Sequence, residues 1–153
     1  MNREKDSVKE ENTVNMMQEV YRCAKMGSDS AIDLMKAVKS DEQKSDFTAM
    51  LNGYQKLATD SAEQLRNMGA DPKEEPMMTK MGAKIGMKMN TLMDSTPSHI
   101  AEMAIQGANM GITDLQSLLN RYDGKSCFDE ARKMAEGSIR FNEKVIEDMK
   151  KYL

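Results

Sequence analysis

Apolar residues recur along this chain at steps of three and four, the spacing of one face of an α-helix. Between residues 12 and 39 the repeating positions are Val14, Met17, Tyr21, Ala24, Ser28, Ala31, Met35 and Val38, widened by Val20, Gly27 and Leu34. Alternating three- and four-residue steps over several turns describe a packing seam. Residues 41–68 repeat the pattern with Phe47, Leu51, Tyr54, Ala58, Ser61, Leu65 and Met68, widened by Met50 and Leu57. Ser40 and Asp41 separate the two stretches and suit an N-terminal cap, while Gly69 suits a C-terminal one. So short a connection predicts an antiparallel helical hairpin.

A second hairpin is predicted over 97–122 and 126–152, with Asp123-Gly124 as its turn. Its last helix has the seam Phe128, Ala131, Ala135, Ser138, Asn142, Val145, Met149 and Tyr152, flanked by Met134, Phe141 and Ile146. Residues 1–11 are polar and charged and are expected to form a flexible tail. That leaves residues 12–153 as a single domain.

The stretch between the hairpins, residues 77–93, carries Met77, Met81, Ile85, Met89, Leu92 and Met93 at helical steps. Gly82 and Gly86 lie four apart on a neighbouring side, where another backbone can come close. Each costs roughly 1 kcal/mol in a helix interior relative to alanine, so packing must hold this helix. Met81, Ile85 and Met89 are expected to be buried, with the Gly82 and Gly86 side against another helix. At 1.5 Å per residue the segment reaches ~25 Å, most of the length of a bundle. Ser95 or Thr96 can cap the next helix, and Pro97 suits its first position. Two antiparallel hairpins joined by one long crossover predict an all-α, ferritin-like four-helix bundle.

Composition agrees with that class. Prolines occur only at 72, 76 and 97, leaving long proline-free stretches on either side. Aromatic residues are 5% of the chain and tryptophan is absent, so the 17 methionines must supply much of the core volume. The net charge of −3, without a basic face or aromatic platform, argues against nucleic acid as a partner. No apolar run has membrane-spanning length, and the start lacks the apolar core of a signal peptide. A cytoplasmic location is the resulting expectation.

Four segments carry a resemblance: CAKMGSDSAIDLM, GYQKLATDSAEQL, MKMNTLMDSTPSHIAEMAIQGANMGITDL and FNEKVIEDMKKYL. Together the chain after residue 11 resembles an uncharacterised bacterial family of ferritin-like four-helix-bundle proteins. The resemblance implies a ferritin-like bundle and a dimer, and it implies no particular activity, because the family has no settled function.

Ferritin-like carboxylate proteins hold two metal ions with a Glu from each of two helices and Glu-x-x-His from each of the other two. His99 is the only histidine, so two such motifs cannot be built. The reverse order, His99-x-x-Glu102, does place both side chains on one side of a helix. They share that side with Gln106, Asn109, Thr113, Gln116 and Asn120, a continuously polar arc, which predicts a surface pair. Glu19, Asp29, Asp33, Asp60, Glu63, Glu136, Glu143 and Glu147 all fall off the seams. The seams instead hold Ser28, Tyr54, Ser61, Ser138 and Asn142, neutral groups that can satisfy one another but bind iron or manganese poorly. The expectation is therefore no cofactor, with iron or manganese at His99 and Glu102 as the alternative.

Thioethers are soft ligands, so Met77, Met78, Met81, Met87, Met89 and Met93 offer copper(I) as a further alternative. Core packing is the simpler account, because no Cys or His stands beside them. Cys23 and Cys127 make neither a disulfide framework nor a zinc motif. Cys127 falls near a helix start, which can lower a thiol pKa, but no base or resolving thiol accompanies it. No catalytic set is readable.

The opposite arc of the 97–122 helix is apolar over nearly half its circumference. It comprises Ile100, Ala104, Gly107, Gly111, Leu115 and Leu118, then Ile105, Ala108, Ile112 and Leu119. One hairpin partner cannot cover all of that, so Gly107 and Gly111 are further packing or interface candidates. The function this points to is a non-enzymatic bundle acting through self-association, as a homodimer, or through a protein partner; the alternative is a metal-binding or oxidative-stress-related ferritin-like protein, with a di-metal site or copper(I) on methionines.

Overall fold

The structure, a computed structural model, describes residues 2–73 and 95–153. Among the described residues there are four helices and no strand: α1 (Asn2–Met35), α2 (Asp41–Asn67), α3 (Pro97–Arg121) and α4 (Asp129–Lys150). None of them is long and apolar enough to cross a membrane. The expected helix over 77–93, with Met81, Gly82, Ile85, Gly86 and Met89, lies outside the described residues.

The helix ends follow from side chains that can serve as caps. Ser40 accepts the Gln43 backbone N–H at 3.1 Å and starts α2. Thr96 does the same for His99 N–H at 3.3 Å, with Pro97 at the first helical position of α3. Gly69 adopts φ 76° after α2, a left-handed conformation that glycine reaches without strain. The Ala70 N–H then closes back on the Leu65 carbonyl at 2.9 Å.

Two ends differ from the sequence pattern. α1 stops at Met35, four residues early, because the next residues tighten into i→i+3 bonds: Ala37 N–H donates to Leu34 O and Val38 N–H to Met35 O. α4 begins at Asp129 because Asp123 Oδ1 gathers the Lys125 N–H, the Ser126 N–H and the Ser126 hydroxyl into a turn.

At its other end α1 is longer than the apolar pattern indicates. It begins at Asn2, so residues 2–11, expected as a tail, continue the helix. Their charges stand on an exposed helix surface, and the α3–α4 turn gives the segment something to hold. Asn12 donates to the Ser126 carbonyl at 2.9 Å, and Lys9 lies 4.9 Å from the Phe128 ring centroid. Thr13 accepts the Phe128 N–H at 2.9 Å. Phe128 gives α4 no side-chain cap, and the Thr13 hydroxyl instead holds the Phe128 backbone in place just before the helix.

The buried side chains form two clusters. One joins Met16, Met17, Val20 and Ala24 of α1 to Leu65 of α2, Leu115 and Leu119 of α3, and Ala131 and Ala135 of α4. The other joins Leu34, Val38, Phe47, Met50, Ile100, Ala104, Val145 and Met149. Two buried glutamines tie down the described ends of the link between α2 and α3. Gln18 donates to Asp71 O at 2.8 Å and accepts from Lys73 N–H at 3.0 Å. Gln43 donates to Pro97 O at 2.9 Å. Beyond α4, Tyr152 donates to Asp46 at 2.5 Å and Lys151 pairs with the same carboxylate at 2.8 Å.

Candidate ligand site between α1 and α3

At Tyr54, α2 meets α1 and α4, and α3 approaches through Asn142. The Tyr54 ring lies against Gly27, where an added Cβ would come within 2.6 Å of the ring atoms. It meets Phe141 edge-on, with centroids 4.9 Å apart and planes at 86°. Gly53 leaves room for Phe141 in the same way. The Tyr54 hydroxyl donates to Asn142 Oδ1 at 2.6 Å, and Asn142 Nδ2 donates to the Ser138 carbonyl at 2.9 Å. From α3, Gly111 faces the Asn142 amide, with room for no more than a Cβ at 3.3 Å. Three glycines at helical positions thus let one tyrosine and one asparagine join four backbones.

Tyr54 and Asn142 also line a cavity of about 50 Å³ opening between α1 and α3. That is room for a few atoms or waters. It is lined by Met26, Met50, Met103 and Met110 and also by Cys23 and Asp114. Gly107 lines it too, and an added Cβ there would meet nothing within 4 Å.

Ligand-capable atoms of Glu19, Cys23 and Asp114 lie within 4.8 Å of one another. Glu19 and Cys23 are one turn apart on α1, and Asp114 faces them from α3. Burial raises the pKa of Glu19, an effect that Arg22, 3.2 Å away, partly offsets. Burial also raises Asp114. The Cys23 thiol is pushed well above its usual range, first by burial and then by those two carboxyl groups. Burial raises the Tyr54 hydroxyl likewise. The cleft therefore favours neutral, protonated groups unless a cation enters it.

Residues singled out in the sequence fall in different places. His99 Nδ1 and Glu102 Oε2 are 3.5 Å apart, with side chains 38% and 54% exposed, at the start of α3 and outside the cleft. Gly107 and Gly111 both line the cleft. Cys127 is buried away from Cys23, its sulfur 3.6 Å from Thr13 Oγ1. The methionines at 77–93 lie outside the described residues.

Glu19 lies off the α1 seam and is nonetheless largely covered. Its side chain is only 14% exposed, because α3 packs over that edge of α1. Asp114 was not marked by the apolar arc at all. Its signal is its position four residues after Met110 and three after Gly111, which continues the line of residues facing the cleft.

The chain matches no known protein family, no curated protein and no solved structure.

Proposed function

We propose that the chain is a non-enzymatic, ferritin-like bundle that works by association with a second copy of itself. Several pairings support the ferritin-like topology. Gln18 of α1 meets residues just beyond α2, while Leu34 and Val38 share a cluster with Phe47, near the start of α2. Those pairings favour opposite directions for α1 and α2. Gln43, in the first turn of α2, holds Pro97 at the start of α3. α2 and α3 then start at one end of the bundle and run in the same direction. Asn12 near Ser126 and Tyr152 on Asp46 favour α4 running against α3. This order of directions is that of a bundle with one long crossover.

The observation that carries the non-enzymatic reading is the neutral centre. Where a ferritin-type di-iron site would need inward carboxylates and imidazoles, the seams present Tyr54, Ser61, Ser138 and Asn142. The Tyr54–Asn142 hydrogen bond and the Tyr54–Phe141 ring pair already occupy that space. The one histidine stands on the surface of α3. These residues do not fit a di-iron centre.

Self-association rests on α3. Ile105, Ile112 and Leu118 pack against the core only in part and leave apolar surface uncovered among the described residues. Sedimentation equilibrium of the full chain is expected to show a dimer whose fraction rises with concentration, and Ile112→Glu is expected to shift it to monomer. A monomer at every concentration would refute the association. Aerobic iron(II) oxidation is expected to run no faster than in buffer, and stoichiometric iron uptake with oxidation would refute the non-enzymatic reading.

A further inference from the structure

We propose that Glu19, Cys23 and Asp114 form a binding site for one divalent cation of the zinc class. The proposal does not rest on the association reading. It starts from three potential ligands on two helices, with the relevant atoms within 4.8 Å of one another. Tetrahedral zinc, with bonds of about 2.0–2.3 Å, needs ligand atoms ~3.5 Å apart. Reaching that spacing would require the three side chains to close from separations of at most 4.8 Å.

A second observation points the same way. Cys23 is 9% exposed and lines the cavity, and among the described residues its thiol donates to Glu19 Oε1 at 4.0 Å, the outer limit for a sulfur hydrogen bond. A buried thiol facing an open space with so weak a partner is set up to bind something. The cavity of about 50 Å³ beside it can take the fourth ligand, a water.

The donor set selects the ion. One thiolate and two carboxylates suit zinc and its neighbours, which accept sulfur and oxygen together. Calcium and magnesium take six or more oxygen ligands, and this site offers two carboxyl groups. Binding forms a metal–sulfur bond and breaks the S–H bond of Cys23, with its proton released to solvent. Any proton on Glu19 or Asp114 leaves the same way, and no electron is transferred. The bound ion would carry two positive charges against three ligand charges, with Arg22 still paired to Glu19.

Cobalt(II) titration of the full, chelator-treated chain tests this. One equivalent is expected to produce a thiolate-to-cobalt charge-transfer band and intense tetrahedral visible absorption, both bleached by zinc. Cys23→Ser is expected to abolish the charge-transfer band, and Cys127→Ser to leave it intact. Asp114→Asn, which keeps the thiol, is expected to weaken cobalt binding about tenfold or more. Circular dichroism checks that each variant is folded, and if Cys23→Ser does not fold, Asp114→Asn decides. No band in the parent, a band surviving Cys23→Ser, or unchanged affinity in Asp114→Asn would each overturn the site.

Discussion

Around Tyr54 and Asn142, polar groups were buried together with their partners. Around Glu19, Cys23 and Asp114, acidic groups were brought into a cleft where, among the described residues, Arg22 offsets them in part. The first region donates a phenol proton to an amide oxygen at 2.6 Å and passes the amide N–H on to a backbone carbonyl. Each such neutral bond is worth about 0.5–1.5 kcal/mol net and leaves no charge to desolvate. The second region raises the pKa of all three acids, so its ionised form works against the fold. Polarity inside this bundle thus does two separate jobs. The neutral network joins helices, whereas the acidic cluster carries a desolvation penalty that a bound cation would relieve.

The sharpest way to break the comparison is at the ring that α1, α2 and α4 share. Tyr54→Ala removes a side chain that is 4% exposed, together with its contacts to Gly27, Phe141 and Asn142. A loss of ~3–5 kcal/mol is expected, as for other large aromatic truncations. Urea unfolding followed by circular dichroism would measure it, and a loss below 1 kcal/mol would remove Tyr54 from the centre of the fold.

Two glycines on either side of the cleft should respond with opposite sign. Gly27→Ala places a methyl 2.6 Å from a ring that Phe141 and Asn142 hold in position, so ~1–3 kcal/mol of destabilisation is expected from overpacking. Gly107→Ala meets nothing within 4 Å and should stabilise by up to about 1 kcal/mol through helix propensity. Parallel thermal melts would show it. A lower melting temperature for Gly107→Ala would mean that something does pack there, and its dependence on concentration would say whether a second copy supplies it.

The smallest effect concerns charge. Burial raises the Asp114 pKa. Stability from this group is therefore fully present below its unfolded pKa of ~3.9 and is lost as pH rises through the higher folded value. Asp114→Asn removes that loss. Without metal, the variant should be more stable than the parent at pH 7 by ~0.5 kcal/mol, a modest amount because solvent partly screens a half-exposed group. At pH 3 the difference should vanish. A variant less stable at pH 7 would mean that the Asp114 charge is compensated by a partner.

Much of this bundle was legible in advance. The seams containing Met17, Tyr21, Ala24, Phe47, Tyr54, Leu65, Ala135, Asn142 and Met149 are buried, because a helix that packs on one side must repeat its apolar positions every three or four residues. Ser40 and Gly69 marked two helix ends, because capping depends on one side chain or one backbone conformation. The α1 start was not legible. Its apolar pattern fades before Thr13, and the bond that Thr13 makes there is to the Phe128 N–H, 115 positions away in sequence.

The candidate site shows where periodicity stops informing. A wheel drawn for one helix places Glu19 off the seam and cannot say whether a neighbour covers that side. Here α3 does, with Asp114 opposite, and the pair acquires a shared chemistry that neither has alone. Local sequence determined the helices, their caps and most of the core face, because those depend on residues within one or two turns. Tertiary structure decided which edges became interior, that Tyr54 would bond Asn142, and that Glu19, Cys23 and Asp114 would meet. Those outcomes depend on how closely helices approach and at what height they sit, and that is set by side chains such as Gly27, Gly53 and Gly111 acting across the bundle.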